Sequence, residues 1–324
     1  MPTENIETST LTRGYTIALF SAMVLSSTAI FIRYLTQTYQ IPPLVLAFWR
    51  DVFVILTLGI ILALAKPAQL RLKPGSVKFL AFYGFVLTLF NAFWTLSVAI
   101  NGAAIGTVLA YTSAGFTALL GRWFLKEPLS WIKLLAVVIS LSGCVLASEA
   151  LDLASWLENP VGILTGMVSG LAYALYSLMG RAASQRGLKP WTTLLYTFAF
   201  ASLFLLLVNL LPLPSLPGKA ITLSDFFWLG DQTMGWLVLF LLAAGPTLAG
   251  YGLYNVSLDY LPSSIANLIL TSELVFTTLI AYLVLGERLT PVQIAGSLLI
   301  VVSVILIRIR EKGHKIPQPP IKGV

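Results

Sequence analysis

Ten long apolar runs constrain the fold of this sequence more than any other feature. A helix that crosses about 30 Å of hydrocarbon needs roughly 20 predominantly apolar residues, so ten crossings use roughly 200 to 230 residues. The chain has 324 residues, which leaves little of it for a soluble domain. The sequence therefore predicts an all-α, polytopic membrane protein with ten transmembrane helices at 14–35, 42–65, 77–99, 103–124, 130–148, 160–179, 190–211, 235–258, 262–285 and 290–309.

The composition and the connecting segments agree with this interpretation. Only 10% of the residues are charged and 57% are hydrophobic, whereas a soluble domain carries about 25% charged residues. The polar N-terminus lacks the basic region that precedes the apolar core of a cleaved signal, so we expect the first run to be retained. The longer connection 212–234 is proline-rich and then aromatic, which predicts a short surface helix. The basic, proline-containing tail at 311–324 is predicted to be disordered.

Reactive residue types are scarce. The single cysteine, Cys144, lies in an apolar run, and the single histidine, His314, lies in the polar tail. These counts exclude an intramolecular disulfide, a Cys/His metal pattern and histidine-centred catalysis within the membrane. The sequence has no HExxH motif and no nucleotide-binding loop, so we expect neither an enzyme nor a pump driven by ATP on its own, and no metal or cofactor.

The distribution of positive charge predicts the orientation. If the N-terminus is cytoplasmic, 16 of the 20 Lys and Arg residues fall on the cytoplasmic side, three fall outside (Arg33, Lys219 and Arg288), and Arg50 lies within a span. Cytoplasmic loops carry an excess of Lys and Arg. Both termini are therefore predicted to be cytoplasmic. The net charge of +7 reflects this bias, and we expect no nucleic-acid partner.

The two halves of the chain, 13–148 and 160–310, resemble each other. At an offset of 160, Ile105 matches Ile265 and Phe116 matches Phe276; earlier in the halves, an offset of 148 works. Each half has five spans, so the second half must enter the membrane from the opposite side. Inverted repeats of this kind are typical of secondary transporters, whose substrate site lies near the bilayer midplane.

Small residues recur every fourth position in spans 1 and 6. The alternative is that small residues are simply common in membrane helices, but their corresponding positions in both halves favour close helix packing. The two stripes are Gly14, Ala18, Ala22 and Ser26 in span 1, and Gly162, Gly166, Gly170 and Ala174 in span 6.

The stretch SELVFTTLIAYLVLGERLTPVQIAGSLLIVVSVIL, residues Ser272–Leu306, resembles the end of an EamA-type repeat of the drug/metabolite transporter superfamily. Residues Gly115–Leu146 give a weaker copy, and Leu274 replaces a proline that is frequent in the family. The resemblance covers Arg13 to Arg310. It implies two inverted bundles around a cavity lined by spans 1, 3, 4, 6, 8 and 9, with spans 5 and 10 peripheral. It also implies transport, often export, of amino acids or related metabolites.

Glu273 is the leading candidate for a functional residue. It lies 11 residues past Pro262 and thus about 16 Å deep, near the midplane. It either binds a substrate amine or a proton, or it is a protonated carboxyl at a packing contact, and both readings remain open. Other candidate cavity residues are polar or aromatic, although Trp and Tyr also form interfacial belts, an alternative that is strongest for Trp94 and Tyr254. The cavity candidates are Asn91, Trp94, Tyr111, Tyr173, Tyr176, Tyr251, Asn255, Asn267 and Thr271.

Charged residues and a helix break are candidates for gating or structural roles. Arg50 and Asp51 are adjacent in span 2 and are not expected to form a simple pair, because neighbours on a helix do not face each other. Arg33 and Arg181 end spans 1 and 6 and are expected to reach the two opposite interfaces. Gly245 and Pro246 interrupt span 8 as a hinge or as a simple kink.

These observations together predict a secondary transporter that exports amino acids or related metabolites across the plasma (inner) membrane by alternating access. The alternative is a channel-like facilitator or a lipid scramblase, which a saturable and stereoselective flux would exclude. The expected partners are a small-molecule substrate and membrane lipid, and the protein is expected to be a monomer or a homodimer.

Overall fold

The computed structural model describes residues 2–211, 218–285 and 288–311, and within these ranges the regular structure is helical. Nine helices of the described residues are long and apolar enough to cross a membrane, and Trp131–Ala147 is an apolar helix just below the 18-residue length. The prediction of a ten-helix membrane protein is confirmed. We number the spans Thr10–Thr38 (1), Pro43–Ala65 (2), Val77–Val98 (3), Ala104–Phe124 (4), Trp131–Ala147 (5), Pro160–Gln185 (6), Pro190–Leu210 (7), Thr233–Tyr260 (8), Ser263–Ile280 (9) and Pro291–Arg310 (10).

Most predicted span ends are close to the observed ones, but the gap predicted between spans 3 and 4 is wrong, because one helix runs without a break from Val77 to Tyr111. Span 6 is the other main exception. It continues to Gln185, six residues past the predicted end at 179. Within 212–234, residues Leu223–Phe227 form a short helix whose start is capped reciprocally by Thr222 and Asp225. Backbone N–H groups of Thr222 and Ile221 donate to the Asp225 carboxylate and lower its pKa. The predicted tail at 311–324 lies outside the described residues, apart from Glu311.

The packing of the helices has the symmetry of an inverted repeat. Span 1 packs against span 8, and span 6 packs against spans 3 and 4. Because spans 1 and 6 correspond in the repeat, and spans 3 and 8 do too, these two contacts are the same contact in opposite orientation. Spans 2 and 7, which also correspond, pack against each other, and so do spans 5 and 10. We call the face on which span 1 begins the inner face; it is the face predicted to be cytoplasmic.

The small-residue stripes lie at the contacts that relate the two halves, as predicted. A Cβ atom at Gly14 would lie 2.8 Å from the side chains of Tyr260 and Leu261, and one at Gly162 would meet the side chain of Asn101. Asn101 and Leu261 correspond at the offset of 160, so the two halves use the same close approach. Small residues permit this approach between helix backbones in lipid.

Three spans break near their middle, each at a pair of hydroxyl residues. Span 1 breaks at Ser26–Ser27, span 4 at Thr112, and span 9 at Thr271–Ser272. In each case a hydroxyl donates to the carbonyl three residues earlier: Ser26 to Met23 at 2.6 Å, Thr112 to Leu109 at 2.5 Å and Thr271 to Leu268 at 2.7 Å. Such bonds compete with the helical ladder and bend the helix.

Candidate functional site

The breaks in spans 4 and 9 occur at corresponding positions, since Thr112 and Ser272 are related by the offset of 160. Beside them, the hydroxyl of Tyr111 donates a hydrogen bond of 2.9 Å to Oε2 of Glu273. Tyr111 is 4% exposed. The contact joins the two halves where both helices are interrupted, and it puts the deepest acidic group of span 9 beside a phenol rather than beside a cation.

A cluster of aromatic side chains adjoins this contact on the side of span 6. Tyr173 stacks on Phe90 with ring centroids 4.5 Å apart, and Tyr176 lies 4.8 Å from Tyr83 and 5.8 Å from Tyr251. All five rings are buried. Of these residues, Tyr83 and Phe90 were not among the candidates; their spacing of seven residues on span 3, two helical turns, places them on one helix face.

Polar side chains fill the space between this cluster and the inner face. Ser177 accepts hydrogen bonds from Tyr254 at 2.7 Å and from Asn267 at 2.8 Å, and Ser113 donates to the Asn267 side-chain oxygen at 3.0 Å. The amide of Asn255 donates to the Tyr176 hydroxyl at 3.0 Å. In this conformation these polar side chains are paired with one another. Tyr254 is fully buried, so its assignment to an interfacial belt is wrong.

Thr271 sits at the break of span 9 and contacts span 5. Its hydroxyl lies 2.8 Å from the hydroxyl of Ser140. The sequence placed Thr271 among the cavity candidates, and the structure places it, fully buried, between the broken span and the peripheral helix pair.

A cavity in the outer half lies between spans 1, 2 and 3. It contains Arg50, Asn91 and Trp94 and is partly open. In this conformation the cavity has a volume of about 20 Å³, which is enough for a water molecule and well below the size of a ligand site. Trp94 lines this cavity, which agrees with the cavity prediction for that residue.

Arg50 and Asp51 contact each other, contrary to the sequence prediction. Nε of Arg50 lies 3.5 Å from Oδ1 of Asp51, and both residues are buried. The long arginine side chain folds back along the helix surface, because two isolated charges would each bear a desolvation penalty in the membrane interior.

Span 8 passes through a π-helical turn at Ala243–Thr247, which contains Gly245 and Pro246. A π-helical turn inside a helix frequently occurs at functional sites. The turn contacts span 2, and Tyr251 follows it by one helical turn. The break predicted at Gly245 and Pro246 is therefore a widened turn that packs against span 2.

The inner face is closed by a carboxylate that the sequence interpretation missed. Glu127, in the loop after span 4, accepts four hydrogen bonds from the first turn of span 9: from the backbone N–H and hydroxyl of Ser263 at 2.7 Å each, and from those of Ser264 at 3.2 and 2.6 Å. Lys133 donates to the Ser264 hydroxyl at 3.1 Å. A negative charge at a helix N-terminus is stabilising. We call this contact the inner latch.

The sequence does contain a signal for the inner latch. Two serines open span 9, but no Glu or Gln stands three residues later to form a capping box. The carboxylate that accepts from these serines comes from another segment, the loop after span 4, where Glu127 stands. A check of the N-terminal cap of each predicted span would have shown that span 9 lacks a local acidic partner.

Arg181 does not reach the membrane interface as predicted. It is 3% exposed, and its guanidinium donates to the carbonyl oxygens of Leu258 at 2.6 Å and Asp259 at 3.3 Å. Those carbonyls end span 8, where a helix dipole favours a cation. The side chain of Arg33 lies outside the described residues. Among the residues that the structure describes, no group of three His, Cys, Asp or Glu side chains could hold a metal ion.

Comparison with known proteins adds a family to this geometry. The sequence profile of EamA, the EamA-like transporter family, matches residues 12–149 and 160–309. An uncharacterized transporter of Synechocystis sp. is 27% identical over 227 residues, which cover 69% of this chain and just under two thirds, 64%, of that protein. An uncharacterized transporter of Clostridium kluyveri is 22% identical over 304 residues, 91% of this chain and 92% of the relative.

A solved crystal structure has the same fold. It aligns with a TM-score of 0.70 and covers 93% of this chain and 98% of its own, at 17% sequence identity. At that identity the similarity concerns the fold alone.

Proposed function

Since the chain belongs to the EamA-like transporter family, we propose that it is a secondary transporter that exports amino acids or related metabolites across the plasma membrane by alternating access. Transport of small solutes by a multi-pass membrane protein follows from the family itself. The proposal adds the class of solute, the direction, the membrane and the cytoplasmic position of both termini.

The observation that carries the proposal is the hydrogen bond between Tyr111 and Glu273 at the paired helix breaks. Broken helices near the midplane, one from each half, are the usual setting of a substrate site in transporters with inverted repeats. The partner of Glu273 is a neutral hydroxyl, so a substrate amine that approaches it gains a charged acceptor at the cost of one hydrogen bond. Glu273 is thus the proposed ligand for the amine.

The difference between the two faces supports alternating access. The inner half is filled by the Ser177 network and held by the inner latch, while the outer half contains a partly open cavity. A carrier needs a second state in which the inner half is open and the outer half is filled. The matched contacts of span 1 with span 8 and of span 6 with span 3 support this, because each half could then adopt the packing of the other.

The first test of the proposal is a flux screen in proteoliposomes with purified protein. Amino acids, amines, nucleosides and organic cations are supplied separately, and uptake is measured against concentration and for both enantiomers of chiral solutes. Saturable, stereoselective flux of amino acids or related metabolites is expected. Flux that rises linearly with concentration and ignores chirality would instead favour a channel-like facilitator, and flux of labelled phospholipid would favour a scramblase.

A substitution tests whether Glu273 couples transport to protons. Glu273→Gln should abolish uphill transport in a pH gradient, because the amide keeps the shape of the carboxyl and cannot bind a proton. Downhill exchange should remain at high solute concentration, with a raised KM because the charged acceptor of the amine is lost. The matched control is Glu149→Gln, an exposed acidic residue outside the site. A pH dependence of uphill transport that is unchanged in Glu273→Gln would contradict the coupling role.

A further inference from the structure

The outer cavity is lined by two buried polar side chains that still have unused hydrogen-bond donors. Arg50 is 5% exposed and Asn91 is 2% exposed, and both line the cavity together with Trp94, Thr95 and Thr36. Because both side chains are buried, their hydrogen-bond partners must come from the protein or from the contents of the cavity.

The guanidinium of Arg50 has donors to spare. Arginine has five N–H donors in a planar fork, and the structure engages Nε with Asp51 at 3.5 Å, the long end of the range for a hydrogen bond. Within the part of the chain that the structure describes, the side chain makes no other hydrogen bond. A buried cation with so weak a partner needs a further acceptor, and the open space next to it is the cavity.

Asn91 provides a second donor on the same wall. Its Nδ2 atom has no hydrogen-bond partner among the described residues, and rotation of the amide exchanges its nitrogen and oxygen, so either end can turn to the cavity. Trp94 follows Asn91 by three residues on span 3 and lies on the same helix face. The cavity therefore combines a cation, an amide donor and an aromatic ring.

The charge around the cavity limits the ligand to a single negative charge. Asp51 cancels the charge of Arg50. A dianion such as phosphate would leave a net negative charge of two beside these groups, which is costly inside a membrane. A carboxylate adds only one charge, and its two oxygens match the fork of a guanidinium.

We propose that Arg50 and Asn91 bind the carboxylate group of the transported solute at the outer end of its pathway, an inference that rests on the proposed transport function. Glu273 lies deeper, at the break of span 9 and beside Tyr111. A zwitterionic solute would then meet Arg50 with its carboxylate and Glu273 with its amine, at the two ends of one pathway.

The test is a binding measurement that does not depend on transport. Sodium propionate is titrated into the purified full-length protein, and the thermal unfolding midpoint and the tryptophan fluorescence are recorded. Propionamide, which has the same shape without the charge, and sodium chloride at equal ionic strength are titrated in parallel. Propionate should raise the unfolding midpoint in a saturable manner, and the other two should not.

Two variants place the site. Arg50→Gln combined with Asp51→Asn, which removes both charges together, should weaken propionate binding about tenfold or more, because a buried charge pair with the ligand is lost. Asn91→Ala should weaken it several-fold. The matched control is Arg122→Gln, an exposed cation at the inner end of span 4, which should bind propionate as the wild type does.

The proposal is overturned if propionamide or chloride gives the same shift as propionate. It is equally overturned if the Arg50/Asp51 variant binds propionate normally, and if that variant does not fold, normal binding by Asn91→Ala has the same consequence. Failure of the transport function is distinguishable: propionate binding at Arg50 without any carrier flux contradicts only the function, whereas carrier flux without a carboxylate preference contradicts only this site.

Discussion

At the residue scale, the contact between Tyr111 and Glu273 is the direct link between the two halves at their paired breaks. A half-buried carboxyl whose partner is a phenol can exchange that partner for a substrate or a proton without breaking an ion pair. The same reasoning separates Glu273 from Asp51, whose partner is the adjacent Arg50. Glu273 and Asp51 therefore have different neighbours and different predicted roles.

A double-mutant cycle tests the coupling between these two side chains. Tyr111→Phe removes the donor and Glu273→Gln removes the charge, and each retains the shape of the side chain. The combined effect on apparent substrate affinity should differ from the sum of the single effects by about 0.6 kcal/mol, and by no more than about 1.7 kcal/mol, as for interhelical hydrogen bonds in membranes. Tyr282→Phe, an exposed tyrosine on the same helix, is the control. Strict additivity would contradict the proposed role of the pair.

The sequence predicted the candidate residues better than their partners. The depth of Glu273 followed from helix rise alone, but its pairing with Tyr111 depends on how two helices from different halves are rotated, which periodicity does not specify. Two predictions failed for different reasons. Arg50 and Asp51 were not expected to pair because they are adjacent on a helix, but the long arginine side chain brings its Nε within 3.5 Å of Asp51. Arg181 was expected to reach the interface, but its guanidinium binds the carbonyls that end span 8.

At the element scale, the close approach of span 6 to spans 3 and 4 depends on its glycines. A Cβ atom at Gly170 would lie 2.7 Å from the carbonyl oxygen of Leu109 and would also meet the hydroxyl of Thr112, whereas one at Gly245 would meet no atom within 4 Å. Gly170→Ala should therefore destabilise the protein by about 1–3 kcal/mol through overpacking, and Gly245→Ala should not. The unfolding of both variants in detergent measures this, and equal stabilities would contradict the packing account.

The inner latch should control access from the inner face. The residues that correspond to Ser263 and Ser264 in the first half are Ala103 and Ala104, which have no hydroxyl groups to offer Glu287. The first half therefore has no counterpart of the two latch serines, and loss of the latch should favour the inward-open state.

Thiol labelling tests this prediction in a Cys144→Ala background, which removes the only native cysteine. A reporter is introduced as Leu258→Cys, at a fully buried position near the inner end of span 8. Glu127→Ala should raise its labelling rate by an inner-side reagent several-fold, because four hydrogen bonds to span 9 are lost. Lys126→Ala, an exposed neighbour, is the control, and equal rates in the two variants would mean that the latch does not hold the face closed.

The broken spans show what hydropathy leaves out. Apolar runs predicted spans 1, 4 and 9 as continuous helices, because Ser and Thr within an apolar run barely change its mean hydropathy. The breaks follow instead from adjacent hydroxyl residues, such as Ser26–Ser27 and Thr271–Ser272, that bond to the preceding turn. A search for hydroxyl pairs in mid-span would have found them.

At the scale of the whole molecule, the inverted repeat could be predicted from sequence, and the state of the two faces could not. The offsets of 160 and 148 and the odd number of spans implied two opposed halves, and the contacts of span 1 with span 8 and of span 6 with span 3 have that symmetry. Which face is closed depends on a few loop residues such as Glu127, whose partners lie more than 130 residues away. Such distant pairs have no local signature.

The central claim is that the two halves exchange access to one site, and counterflow in proteoliposomes tests it most directly. Vesicles are loaded with an excess of an unlabelled solute that the flux screen identifies, and a trace of the labelled solute is added outside. A carrier with alternating access should accumulate the label transiently above its external concentration, with saturation as the external concentration rises. If the label only equilibrates and its initial flux rises linearly with concentration, the protein is a pore and the account is wrong.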